Sequence, residues 1–113
     1  MVAAYVPEAG DIVMLDFDPQ LGREQAKRRP ALVLTDQRYN RASGLAVVCP
    51  MTSKRKPYPF SLPVDIDQTE GAILVDQLKS MDWQMRHARF HSKVASAVLT
   101  KVRQYAAVLL GIR

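Results

Sequence analysis

A single cysteine, Cys49, rules out an internal disulfide framework, and its place in the apolar run LAVVCP marks it as a buried thiol rather than a nucleophile. No apolar run approaches the roughly 20 residues a bilayer-spanning helix needs. The opening residues MVAAYVPEAGD lack a basic stretch followed by an apolar one, so a reducing cytoplasmic compartment is expected. The chain has no repeat, no low-complexity tract and no evident linker, which excludes fibrous, solenoid and disordered classes. From Trp83 to Arg113 there is no acidic residue at all.

What the chain does have is an ordinary globular balance: 113 residues, 48% hydrophobic and 24% charged. That length suits one domain, here residues 1–113, with a core of its own. Sixteen Lys and Arg against eleven Asp and Glu leave a net charge of +5, which implies an anionic partner, nucleic acid before membrane. The cations bunch at Arg23, Lys27, Arg28 and Arg29, at Arg38 and Arg41, at Lys54, Arg55 and Lys56, and at Arg86, Arg89 and Lys93. Any one cluster is equally well a solvated loop; four together favour a phosphate-binding surface.

Short β-branched runs alternate with turn signals. GDIVMLDFDP, PALVLT at 30–35 and LAVVCPMT at 45–52 predict three strands. DQRYNRASG predicts a short helical turn, opened by Asp36 as N-cap and ended by Gly44. YPFSLPVD predicts an edge strand, because Pro59 and Pro63 cannot donate to a ladder. Two more short strands are expected at about 72–76 and 78–83. Val94, Val98, Val102, Tyr105 and Leu109 recur at helical spacing between Ser92 and Gly111, the pattern of an amphipathic helix packed on a sheet. The expected fold class is α+β: a small β-barrel of five to seven short strands with an inter-strand helix and a C-terminal amphipathic helix.

Three groups of residues bear on chemistry. Arg29 precedes Pro30, which holds it extended and gives its guanidinium a defined origin at the mouth of a strand. Thr52 ends the third strand and is followed by Ser53, Lys54, Arg55 and Lys56, so hydroxyls and cations arrive together at a strand edge, as phosphodiester binding requires. Metal chemistry is disfavoured. Asp16 and Asp18 share a strand face but read equally as a solvated strand end. His87 and His91 would share a helix face, yet Ala88 stands where the zinc pattern needs Glu. Trp83, Tyr58 and Phe60 could stack on bases, although strand aromatics are more often core.

The stretch YVPEAGDIVMLDFDPQLGREQAKRRPALVL, followed by YN at 39–40, CPMTSK at 49–54, YPF at 58–60 and DQLKSMDW at 76–83, resembles the MazF/PemK family of toxin endoribonucleases in one unbroken register. The resemblance implies an SH3-like barrel that forms a homodimer and cleaves single-stranded mRNA without a metal or other cofactor. It further implies silencing by an antitoxin with an acidic C-terminal tail. By the same resemblance Arg29 and Thr52 form the catalytic pair, and Glu24, Gln25 and Asn40 lie at or near RNA. Lys27 and the cations Lys54, Arg55 and Lys56 exceed what family members often carry, a departure that bears on base preference and on the breadth of the RNA footprint; Lys27, Arg28, Ser53, Lys54 and Lys56 are candidate RNA contacts, with Lys27 and Arg28 open to RNA or to the antitoxin.

Chemistry supports those assignments independently. RNA carries its own nucleophile, the 2′-OH, so the protein needs to supply in-line positioning, a proton acceptor, a proton donor and positive charge on the phosphate. Arg29 suits the phosphate clamp, since a guanidinium forks onto two oxygens and stays protonated. Thr52 can hydrogen-bond the phosphate, and Glu24 is the candidate base or the group that orients Arg29. Two other functions fit the residues less fully. A non-catalytic barrel toxin acting on DNA gyrase would leave Arg29 and Thr52 without a task, and a plain basic RNA-binding module would need only the cations.

Overall fold

The computed structural model describes residues 4–17, 27–54 and 59–113. Seven strands form one antiparallel sheet: β1 (Asp11–Asp16), β2 (Arg28–Val33), β3 (Leu45–Thr52), β4 (Ser61–Ile66), β5 (Thr69–Leu74), β6 (Lys79–Asp82) and β7 (Arg89–Lys93). Helix α1 (Gln37–Ser43) joins β2 to β3, a single 3₁₀ turn spans Val75–Gln77, and helix α2 (Ser96–Leu109) ends the chain. The strand order is β4-β5-β3-β2-β1-β7, with β6 also paired to β3. The sheet curls into a half-barrel. Its two outer strands, β4 and β7, border the open seam.

Strand β3 is the hinge of this arrangement. Its first half pairs with β6 from Leu45 to Val48, while Met51 and Thr52 at its end pair with Ile73 and Ala72 of β5. The apolar runs of β1, β2 and β3 are nearly continuous because both sheet faces are covered. Ile12, Leu32, Cys49, Met51 and Ile73 bury one face beneath Val102 and Ala106 of α2. The alternate residues Val13, Leu15, Ala31, Val33 and Val48 bury the other, with Tyr5 and Trp83 packed against them. A strand's period of two divides its side chains between the clusters.

Local signals explain the helix ends. Asp36 accepts a hydrogen bond at its Oδ1 from the Tyr39 N–H at 3.0 Å, and Gly44 closes α1 in the left-handed region at φ 74°. Pro63 sits in β4, an outer strand, as expected for a residue without an N–H.

Some expected boundaries shift. The strand expected at 72–76 begins at Thr69, because Asp67 and Gln68 turn tightly enough to pair Ile66 with Thr69 and continue the hairpin. Helix α2 starts at Ser96, so Val94 lies outside it; Ser92 belongs to β7, and Ala95 occupies the cap position without a side-chain bond. Strand β7 itself was not expected. RFHSK carries one apolar residue and lies mostly at the surface, so it has no alternation to read. His87 and His91 therefore share no helix face. His87 lies in a turn at φ 57° and meets Asp16, while His91 lies in β7 and meets Asp67.

Candidate active site

The register of β2 on β3 builds the site. Ala31 pairs with Pro50 and Leu32 with Cys49, so the same antiparallel register carried two residues further sets Arg29 opposite Thr52. Opposite residues of antiparallel strands project from the same face. Both side chains line one open pocket of about 380 Å³, with Ser53 beside them. Two residues 23 positions apart in the chain thus meet just beyond the paired part of β2 and β3, with Arg29 paired to Leu15 of β1 and Thr52 to Ala72 of β5.

Arg29 is half-buried, and its Nη1 makes a long contact of 3.5 Å to the Met51 carbonyl oxygen. Burial draws the guanidinium below its ordinary pKa, yet a group that starts so high stays charged at neutral pH. A partly desolvated cation attracts an incoming phosphate more strongly than one in bulk water. Thr52 is buried, and its Oγ1 accepts the Lys54 N–H at 3.1 Å. That bond orients the hydroxyl and leaves its own proton to donate.

Gly71 of β5 makes the Thr52 position possible. A Cβ at Gly71 would lie 2.7 Å from the Thr52 carbonyl oxygen, closer than real Cβ atoms approach backbone. Only glycine lets the β4–β5 hairpin press this tightly on the end of β3.

The far side of the pocket comes from elements whose residues were not expected there. Asp67 and Glu70 of the β4–β5 hairpin line it, together with His91 of β7. Their sequence signal was weak. Asp-Gln between two strands reads as a turn, and only the curling of the sheet brings that turn and β7 to Arg29.

The remaining expected site residues are placed elsewhere. Arg28 donates from Nη1 to Asp16 Oδ1 at 3.0 Å and from Nη2 to the His87 carbonyl at 2.8 Å, so its guanidinium is committed away from the pocket. Asp16, between His87 and Arg28, is held below the usual carboxylate range by those two hydrogen bonds. Lys27, at φ 64°, and Lys54 are exposed, two residues from Arg29 and Thr52 respectively, but neither lines the pocket.

Asn40 stands apart most clearly. It is fully buried, its Nδ2 donates to the carbonyls of Pro7 and Thr35 at 2.8 and 2.9 Å, and its Oδ1 accepts the Thr35 hydroxyl at 2.6 Å. Its own carbonyl accepts the Trp83 indole N–H at 3.0 Å. An amide so engaged has nothing to offer RNA. The YN pair thus places a structural amide where an RNA contact was expected, and the same bond turns the Trp83 indole nitrogen inward.

Glu24, Gln25 and Lys56 lie outside the described residues, as do Asp18 and Tyr58. Phe60 packs edge-on against Tyr105 of α2. Burial pushes the Cys49 thiol up to about 12, in keeping with an inert core residue. Among the described residues no three His, Cys, Asp or Glu side chains gather as a metal site.

Known proteins show the same framework. Residues 8–110 match the family model of the PemK-like, MazF-like toxins of type II toxin-antitoxin systems. The endoribonuclease toxin MazF of Escherichia coli strain K12 is 40% identical over 111 residues, covering 98% of this chain and all of that protein. The crystal structure of MazF from Deinococcus radiodurans superposes with a TM-score of 0.90 at 43% identity, covering 96% of this chain and all of the other. MazF in the MazE-MazF complex from the same organism superposes at 0.84 and 38% identity, covering 97% and 100%. The chain belongs to the PemK-like, MazF-like toxins of type II toxin-antitoxin systems.

Proposed function

We propose that this chain is an endoribonuclease that cuts single-stranded mRNA in the cytoplasm, and that growth stops as messages are lost. The observation that carries the reading is the β2–β3 register, which sets a partly buried arginine opposite an oriented threonine in an open pocket. The E. coli and D. radiodurans relatives support it through their activity and their antitoxin complex.

In this reading the RNA 2′-oxygen attacks the adjacent phosphorus, and the bond from phosphorus to the 5′-oxygen breaks. The products are a 2′,3′-cyclic phosphate and a free 5′-OH. Arg29 neutralises the charge that grows on the non-bridging oxygens, and Thr52 donates a hydrogen bond to one of them. Fixed cationic charge at this point is the service a metal ion would otherwise provide, so the reaction proceeds without one. Glu24 takes the 2′-OH proton and Arg29 supplies a proton to the departing 5′-oxygen, while Gln25, Lys27, Ser53, Lys54 and Lys56 extend the hold on the strand. Arg28 pairs with Asp16 at the surface and lies outside the pocket.

A net charge of +5 suits both RNA and an antitoxin whose acidic tail covers the same surface. The working unit in this reading is a homodimer. Expression of the chain alone in bacteria should arrest growth and leave total RNA with new 5′-OH ends, and co-expression of its cognate antitoxin should prevent both. Arrest with intact RNA would defeat the ribonuclease reading.

A further inference from the structure

His91 occupies a place in the sheet that ordinary pairing does not provide. Strand β7 pairs Ser92 with Ile12 and Phe90 with Val13 of β1, so His91 between them has no partner residue and forms a β-bulge. A bulge re-aims a side chain, and here the imidazole lines the Arg29 and Thr52 pocket. Its Nδ1 lies 2.8 Å from the Ser92 hydroxyl, and its Nε2 lies 3.0 Å from Asp67 Oδ2. That second contact spans the seam of the half-barrel, from β7 to the β4–β5 turn.

Asp67 is an odd companion for a phosphate site. A carboxylate repels RNA, yet this one is 72% exposed at the tip of a two-residue turn with both φ values positive, at 50° for Asp67 and 65° for Gln68. Carboxylate and phosphate oxygens accept hydrogen bonds from a cationic ring in the same way. An exposed pair of this kind is weak, so a phosphate can displace it.

We propose that His91 is a second RNA-phosphate seat beside Arg29, and that Asp67 occupies this seat until RNA replaces it. The inference rests on the ribonuclease reading of the pocket. Among the described residues, Arg29 and His91 are the pocket-lining side chains able to carry positive charge. Among them, the charged groups that line the pocket with His91 are Arg29 from β2 and Asp67 and Glu70 from the β4–β5 hairpin; β1 and β3 present Met14, Met51 and Thr52, with Ser53 after β3, none of them charged. On its own strand Arg89 is exposed and Lys93 is bound to Asp11 at 2.9 Å.

The test compares wild-type protein, His91→Gln and Asp67→Asn on an RNA oligonucleotide carrying a site that the wild type cuts. His91→Gln should raise KM about tenfold, with kcat little changed. Asp67→Asn should lower KM about threefold, because the competing charge is gone while a hydrogen bond to the ring remains. The salt dependence of KM should also flatten in His91→Gln, as loss of one phosphate contact requires. Unchanged KM in His91→Gln would overturn the inference, and so would a rise in KM for Asp67→Asn, which would make Asp67 an orienting partner instead of an occupant. Wild-type protein that leaves all RNA uncut would instead overturn the ribonuclease reading beneath it.

Discussion

The two walls of the pocket are built on different principles. The β2–β3 wall takes its geometry from core pairing: Arg29 and Thr52 extend a ladder whose neighbours Ala31, Leu32, Cys49 and Met51 are almost wholly buried. The opposite wall hangs on the outer strands, from a turn whose Asp67 is largely exposed and from a bulge in β7. A rigid wall suits charge stabilisation, which costs no rearrangement as the reaction proceeds. A loosely held wall suits the admission and release of a strand of RNA. Gly71 lies where the two meet.

Perturbations should separate the walls. Arg29→Ala removes the clamp and should lower kcat roughly a hundred- to a thousandfold with little change in melting temperature. Asn40→Ala should do the reverse. It strips partners from the Thr35 hydroxyl and from the carbonyls of Pro7 and Thr35, costing about 3 kcal/mol in denaturant unfolding while kcat per folded molecule is retained. A large loss of RNA affinity at unchanged stability would return Asn40 to the RNA surface.

Gly71→Ala should affect both walls together. The added methyl must push the hairpin or the Thr52 carbonyl aside, so about 2 kcal/mol of stability and much of the cleavage rate should fall in step. Cleavage at the wild-type rate would show that Thr52 does not depend on this contact.

The smallest effect belongs to Asp16, outside both walls. Its folded pKa lies below the ordinary 3.8, so its bonds to His87 and Arg28 contribute above the unfolded value and are lost as pH falls through the folded one. Melting curves of wild type and Asp16→Asn should differ at pH 5 and draw together as pH falls through the lowered folded pKa of Asp16, where both come to carry a neutral side chain. A constant difference throughout would contradict that linkage.

What the sequence disclosed follows the same division. Asp36, Gly44, Pro30 and Pro63 act on their nearest neighbours, so their effects could be read locally. Arg29 and Thr52 could be named from their flanking residues, though only the register shows them facing each other. Asp67 and Glu70 escaped notice, and His91 was weighed only as a metal ligand beside His87, because no local pattern records where a curling sheet brings an outer hairpin. Asn40 misled for a related reason. A polar residue beside a tyrosine gives no sign in sequence of the three buried bonds that absorb it.

The most direct measurement incubates the purified protein with a long mixed-sequence RNA in excess EDTA, beside Arg29→Ala, and maps the new termini. Discrete cuts with 5′-OH ends from the wild type and none from the variant are the predicted result. Cuts that vanish with EDTA, or that persist undiminished in Arg29→Ala, would contradict a metal-free cleavage built on Arg29 and Thr52.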